Sequence, residues 1–117
     1  MSNTIKSNKK IRLSYCLPEA TLMEVKGTMM QQGYDLKGKS KWISEAIYQL
    51  LSMQNYCDLV MINNQMDGFE KLDSISIDMD LKQKLDEAIL VIRKQFPIIE
   101  GVQSKILRTA IVQRLLR

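Results

Sequence analysis

The segment Ser40 to Leu51 reappears 64 positions later as Ser104 to Leu115. Ser-Lys, Ala-Ile, Gln and the closing Leu coincide: Ser40-Lys41 with Ser104-Lys105, Ala46-Ile47 with Ala110-Ile111, Gln49 with Gln113, Leu51 with Leu115. Upstream of each copy is a short stretch of alternating polarity. Leu13-Ser14-Tyr15 lies over Ile75-Ser76-Ile77 at a shift of 62, so the second copy carries two extra residues in between. Period-two alternation marks strands. The order strand, helix, loop, helix therefore occurs twice, and such a repeat decides the fold before any other feature. A unit of roughly 45 residues has a lone strand with unpaired N–H and C=O groups, and too small a core to fold alone. Pairing the two strands antiparallel completes a ribbon, and four helices can then close over its apolar face; a parallel pairing is the less stable alternative. The expected fold is mostly α with a two-stranded antiparallel ribbon, two βαα copies forming a single intramolecular pseudo-dimer.

The elements follow from local patterning. In the first strand Ile11, Leu13, Tyr15 and Leu17 alternate with Arg12, Ser14 and Cys16. Pro18 suits the first turn of a helix over 18–32, with Glu19 and Glu24 near its positive end. Leu22, Val25 and Met29 share its apolar stripe with Met30 beside them, and Gly33 stops it. Residues 34–39 are a loop, and Ser40 is an N-cap for a helix with the stripe Ile43, Ala46, Ile47, Leu50, Leu51. Met53, Tyr56, Cys57, Val60 and Met61 keep the spacing, so this helix runs on or breaks once and resumes. Asn63-Asn64 and Asp67-Gly68 are turn signals. Ile75, Ile77 and Met79 alternate with Ser74, Ser76, Asp78 and Asp80. Asp80 is the expected cap of a helix over 81–95 with the stripe Leu81, Leu85, Ala88, Ile89, Ile92. Pro97 ends it, and Ser104 starts a last helix with Ile106, Leu107, Ala110, Ile111 and Leu115 inward. Trp42 and Tyr48 are expected in the core or on a helix face. The eight methionines are expected mostly as core filler. The chain thus divides into a flexible basic arm (1–10), a first copy (11–51), a helical extension and connector (52–73) and a second copy (74–117).

Composition narrows the chemistry. Lys and Arg number 17 against 13 Asp and Glu, but the charge is zoned. Residues 1–51 hold eight basic and four acidic side chains, 52–87 three and eight, and 88–117 six and one. Solvated helix faces would explain this as well as a repeated basic surface would. There is no histidine, which removes the commonest general base and metal ligand. Cys16 and Cys57 alone cannot build the usual zinc sites or a disulfide scaffold, and are expected as plain reduced thiols. No apolar run approaches about 18 residues, and MSNTIKSNKK lacks an apolar signal core. A cytoplasmic protein with no cofactor, no metal, no membrane association and no enzymatic activity is expected.

The alternating strand ending at Pro18 or Asp80, together with Ser-Lys-x-x-x-x-Ala-Ile-x-x-x-Leu, resembles the ribbon-helix-helix (MetJ/Arc) superfamily of DNA-binding proteins. Two copies in one chain are similar to the tandem, TraY-type arrangement. The resemblance covers residues 10–51 and 73–116. It implies a ribbon inserted in the major groove of double-stranded DNA, with Arg12, Ser14, Cys16, Ser74, Ser76 and Asp78 facing bases. Arg12 suits guanine O6 and N7, the serines suit any base, and Asp78 either accepts from cytosine N4 or neutralises Arg12. Phosphate contacts would come from Lys39, Ser40, Lys41, Gln103, Ser104 and Lys105 at the starts of the second helices; ordinary capping by Ser40 and Ser104 is compatible with that. Lys9 and Lys10, with Lys6, would track phosphates from the arm or simply belong to a disordered tail.

The function this implies is a transcriptional regulator of a conjugative or other mobile element. The alternatives are a relaxosome accessory protein at a transfer origin, or an antitoxin-like protein-interaction module. The close approach of the second copy to Arg117 disfavours a masking tail of the antitoxin kind. Implied partners are double-stranded DNA, further copies side by side on it, and the transcription or conjugation machinery. Met53 to Met61 could face such a partner, although packing on the core is the simpler expectation. Without the repeat, the bland reading of the six outward residues is an exposed hairpin.

Overall fold

The computed structural model describes residues 9–62 and 70–117. Period-two alternation makes Lys10–Pro18 a strand, β1; a second strand, β2, is Glu70–Asp78, in which the alternation covers only residues 74–78. They pair antiparallel, with Leu13 facing Ile75, Ser14 facing Ser74 and Arg12 facing Ser76. Leu13, Tyr15, Leu17, Ile75 and Ile77 point inward and are buried. The helices are α1 (Glu19–Gln31), α2 (Lys39–Leu51), α3 (Tyr56–Ile62), α4 (Met79–Gln95) and α5 (Val102–Leu115), with a 3-10 turn at Leu36–Gly38 before α2. The chain is thus mostly helical with one two-stranded antiparallel sheet.

Each boundary has a local cause. Proline cannot donate to the ladder and suits a helix entry, so β1 passes into α1 at Pro18. Gly33 adopts φ +87, and the N–H groups of Gly33 and Tyr34 bond back to Met30 and Met29. This closure needs a left-handed residue, which glycine adopts without a Cβ clash. The apolar spacing after Leu51 is interrupted by a turn at 52–55 and resumes in α3.

Several expectations are corrected. The cap of α4 is Asp78, whose Oδ1 accepts the Leu81 N–H at 2.9 Å; Asp80 stands in the first turn. α2 and α5 begin one and two residues before Ser40 and Ser104, at Lys39 and Val102, so neither serine is the cap. β2 takes in residues 70–73, which belong to the sheet and not to a connector, and Lys10 belongs to β1 and not to an arm. Of the six methionines among the described residues only Met29 is fully buried. Met53 and Met61 pack partly buried against the core, while Met23 and Met30 are 67% and 64% exposed, so core filling is the role of some methionines and not of most. The arm residue Lys6 and the turn signals Asn63-Asn64 and Asp67-Gly68 lie outside the described residues.

The core lies between the inner face of the ribbon and the helices, with Trp42, Ile43, Ile47, Leu85, Ile106 and Leu107 at its centre. The packing is crossed: α5 lies on β1, α2 lies on β2, and α2 packs against α5. α5 also meets α1, α3 and α4. A helix surrounded in this way must be apolar on most sides, and Val102, Ile106, Leu107, Ala110 and Ile111 are all buried in it. Its one buried hydroxyl, Thr109 Oγ1, is satisfied by donating to the Lys105 carbonyl at 2.8 Å. No described helix is long and apolar enough to cross a membrane.

The register gives a direct test. Ser14 and Ser74 face each other, and residues directly opposite have Cβ atoms about 4.5–5.5 Å apart, close enough for a disulfide after small adjustment. In a Cys16→Ser, Cys57→Ala background, Ser14→Cys with Ser74→Cys is expected to oxidise readily to an intramolecular disulfide. Ser14→Cys with Lys71→Cys, which stands opposite Leu17, is not. Non-reducing electrophoresis with peptide mapping distinguishes the outcomes.

Candidate nucleic-acid interface

The outer face of the ribbon is built by strand alternation alone. Residues at every second position of β1 point away from the core: Lys10, Arg12, Ser14 and Cys16. Across from them stand Asp78, Ser76, Ser74 and Leu72 in that order. Arg12 and Ser14 are exposed; Cys16, Ser74 and Ser76 are half-buried. Arg12 makes no ion pair or side-chain hydrogen bond among the described residues. The six residues expected at bases therefore share the outer face of the ribbon. Asp78, the sixth, faces Lys10 and not Arg12, and one of its oxygens is committed to capping α4. Partial burial, and after it the Asp78 and Asp80 carboxylates, pushes the Tyr48 hydroxyl up.

The first turns of α2 and α5 abut the two edges of this face. The Ser76 N–H, directed out of the ladder, donates to Ser40 Oγ at 3.0 Å. Gln103 Nε2 donates to the Ser14 carbonyl at 3.3 Å on the opposite edge. Both residues thus fasten a helix start to the ribbon. Neither helix has a side-chain cap; the cap positions are Gly38 and Gly101, the latter at φ +62. The leading amides of an α-helix have no partner within it, and they carry the positive end of its dipole.

The lysines at these helix starts differ. Lys41 is exposed and makes no ion pair or hydrogen bond among the described residues. Lys105 Nζ is half-buried and donates back to the Glu100 carbonyl. Lys39 Nζ, expected at a phosphate, instead holds both oxygens of Asp73 at 2.8 and 2.9 Å. Ser104 is half-buried in the first turn of α5, and Lys9 and Lys10 are exposed at the start of β1.

Two polar clusters fasten the elements behind this face: one ties the start of α2 to the ribbon, the other ties the end of α5 to α2. In the first, Asp73 points inward from β2 and accepts the hydroxyl of buried Tyr15 at 2.5 Å as well as the Lys39 ammonium. Burial alone would raise the Asp73 carboxyl; the Lys39 and Tyr15 bonds outweigh it and hold the group below its ordinary value. Burial, with Asp73 adding to it, pushes the Tyr15 hydroxyl far up. In the second, Arg114 near the end of α5 donates to the Trp42 carbonyl at 2.6 Å, to Glu45 Oε1 at 3.1 Å and to the Tyr34 hydroxyl at 3.1 Å. Its guanidinium lies 4.5 Å from the Trp42 ring centroid, within cation–π range. The Tyr34 hydroxyl also donates to Glu45. That bond first, and Arg114 after it, hold the Glu45 carboxyl below its ordinary value despite its partial burial.

No protein-family model, curated protein or solved structure matches the chain.

Asp73 and Leu72 were missed from sequence because the strand signal starts at Ser74. An acid at the inward position, followed by Ser, looks like a loop until its partners Tyr15 and Lys39 are known. Those partners come from 58 and 34 residues away. Leu72 fits period two with Ser74 and Ser76 once the strand is extended.

The Asp73 cluster makes a pH-dependent prediction. Its folded pKa lies below the ordinary value of 3.8, so its contribution is complete above that value and is lost as pH falls through the folded pKa. Asp73→Asn is expected to lower stability by about 1–3 kcal/mol near neutral pH, the usual worth of hydrogen bonds to a charged group. The gap to the wild type should narrow as pH falls below about 3.8. Urea denaturation across pH 2.5–7 checks both points.

Proposed function

We propose that the chain is a sequence-specific binder of double-stranded DNA that lays the outer face of its ribbon in the major groove. The observation that carries this reading is the outer ribbon face of Arg12, Ser14, Ser74 and Ser76, bordered on both edges by the starts of α2 and α5, which have no side-chain cap. A two-stranded ribbon is one of the elements that a major groove about 12 Å wide admits. Arg12 matches guanine O6 and N7, and the serine hydroxyls both donate and accept. Helix N-termini at the flanks suit phosphates, with Lys41 as the exposed cation there. Such contacts fix position, while the ribbon supplies sequence information.

The register supports the finer reading of two ribbon-helix-helix copies in one chain. Leu13 pairs with Ile75, the residue 62 positions on, which is its counterpart in the repeat. An approximate twofold axis therefore passes between them. Ser14 and Ser76 are counterparts, and the bonds from Gln103 and Ser40 meet them on opposite edges. The flanks do not match: Arg12 corresponds to Ser74, Cys16 to Asp78, and Lys10 to Leu72. Each chain should accordingly read a non-palindromic subsite. Such a protein would serve as a transcriptional regulator of a conjugative or other mobile element, or at a transfer origin, in the cytoplasm, several copies lying side by side on repeated subsites.

Selection from a random duplex pool with purified protein is expected to enrich one asymmetric motif containing guanine. Arg12→Ala should then cost about 1–3 kcal/mol on that motif and relax discrimination at one base. Lys41→Ala should weaken all sequences alike and reduce the salt slope by about 1. Lys39→Ala should act on stability before it acts on the salt slope, because Lys39 is held by Asp73. Unchanged binding of Arg12→Ala to the selected duplex would overturn the ribbon reading.

A further inference from the structure

Leu72 is 71% exposed and points outward from β2, directly opposite Cys16. Among the described residues of the outer face it is the one large apolar side chain in the open. It contributes little to the core, since β2 turns its neighbours Lys71 and Asp73 to the other face. With the half-buried Cys16 it forms a small patch without charge or a strong hydrogen-bonding group. Its counterpart across the approximate twofold is Lys10, so the two ends of the face differ in kind: Lys10 and Arg12 at one, Cys16 and Leu72 at the other.

In the major groove one base carries an apolar group at its edge, the C5-methyl of thymine. A polar base edge set against Leu72 would lose its water without a partner, at a cost. A thymine methyl instead gains by leaving water. We propose that Leu72, backed by Cys16, is a specificity-determining contact for a thymine methyl, which polarises the site with guanine toward the Arg12 end. This rests on the DNA-binding reading above. The Arg12–Ser76 and Cys16–Leu72 pairs are four residues apart along the ribbon. At ~3.3 Å per residue that is about 13 Å, or about four base-pair steps at ~3.4 Å each. The selected motif should therefore hold a guanine and a thymine separated by about four base pairs.

The test replaces thymine by uracil, position by position, in the selected duplex, which removes the methyl and leaves base pairing intact. Wild-type binding should weaken about fourfold at one position, the equivalent of ~0.8 kcal/mol for one buried carbon. Leu72→Ala should bind the thymine duplex more weakly and bind the thymine and uracil duplexes equally. Arg12→Ala should keep the uracil sensitivity while losing guanine discrimination. Wild-type binding that is indifferent to uracil at every position, or a uracil effect that survives in Leu72→Ala, would overturn the assignment while leaving DNA binding intact. If the random pool yields no enriched duplex at low salt, the DNA reading falls and this contact falls with it.

Discussion

The pairing of β1 with β2 is the contact on which the remainder of the molecule depends. Each strand alone is an unpaired edge, and a strand that short cannot organise a core. Once paired through Leu13 and Ile75, the ribbon offers an inner face of Leu13, Tyr15, Leu17, Ile75 and Ile77, with Asp73 on it neutralised by Lys39. The helices then pack crosswise, α5 on β1 and α2 on β2. Neither half is complete without the other, because each strand is covered by a helix from the far side of the chain. Arg114 strengthens this crossing by joining the end of α5 to Trp42 and Glu45 of α2.

The same crossing sets the candidate interface. The core cluster lies against the inner face of the ribbon, and strand alternation therefore turns Arg12, Ser14, Ser74 and Ser76 outward. The first turns of α2 and α5 are brought against the edges at Ser76 and Ser14 by hydrogen bonds at 3.0 and 3.3 Å. A rigid support is useful for a reading surface, since side chains held on a fixed backbone lose less entropy on binding. The Asp73–Tyr15–Lys39 cluster supplies part of that support by tying the start of α2 to both strands.

Much of this was legible in the sequence, for physical reasons that can be named. The period-two alternation of Ile11 to Leu17 and the stripes of α1, α2, α4 and α5 are governed by burial, and burial is written in residue type. The repeat announced that the two strands need each other. Helix starts were less legible: Ser40 and Ser104 look like caps, yet Ser40 serves a ribbon N–H more than 30 residues distant, and the helices start earlier. Asp80 looks like the cap of α4, yet β2 passes into the helix at Asp78, and Asp78 accepts the Leu81 N–H. The roles of Lys39 and Asp73 could not be read locally, because each is defined by partners from another element. Leu72 was hidden for the same reason: its strand continues through an inward acid.

The most direct measurement of the central claim is a crosslink from the ribbon to DNA. A photoreactive group is attached at Ser14→Cys in a Cys16→Ser, Cys57→Ala background, and a matched control is attached at Glu87→Cys on the exposed side of α4. The expected result is crosslinking from position 14 to bases of the selected duplex, on their major-groove edges, with little from position 87. Crosslinks from position 87 but not from position 14, or from position 14 to no base at all, would contradict a ribbon seated in the major groove.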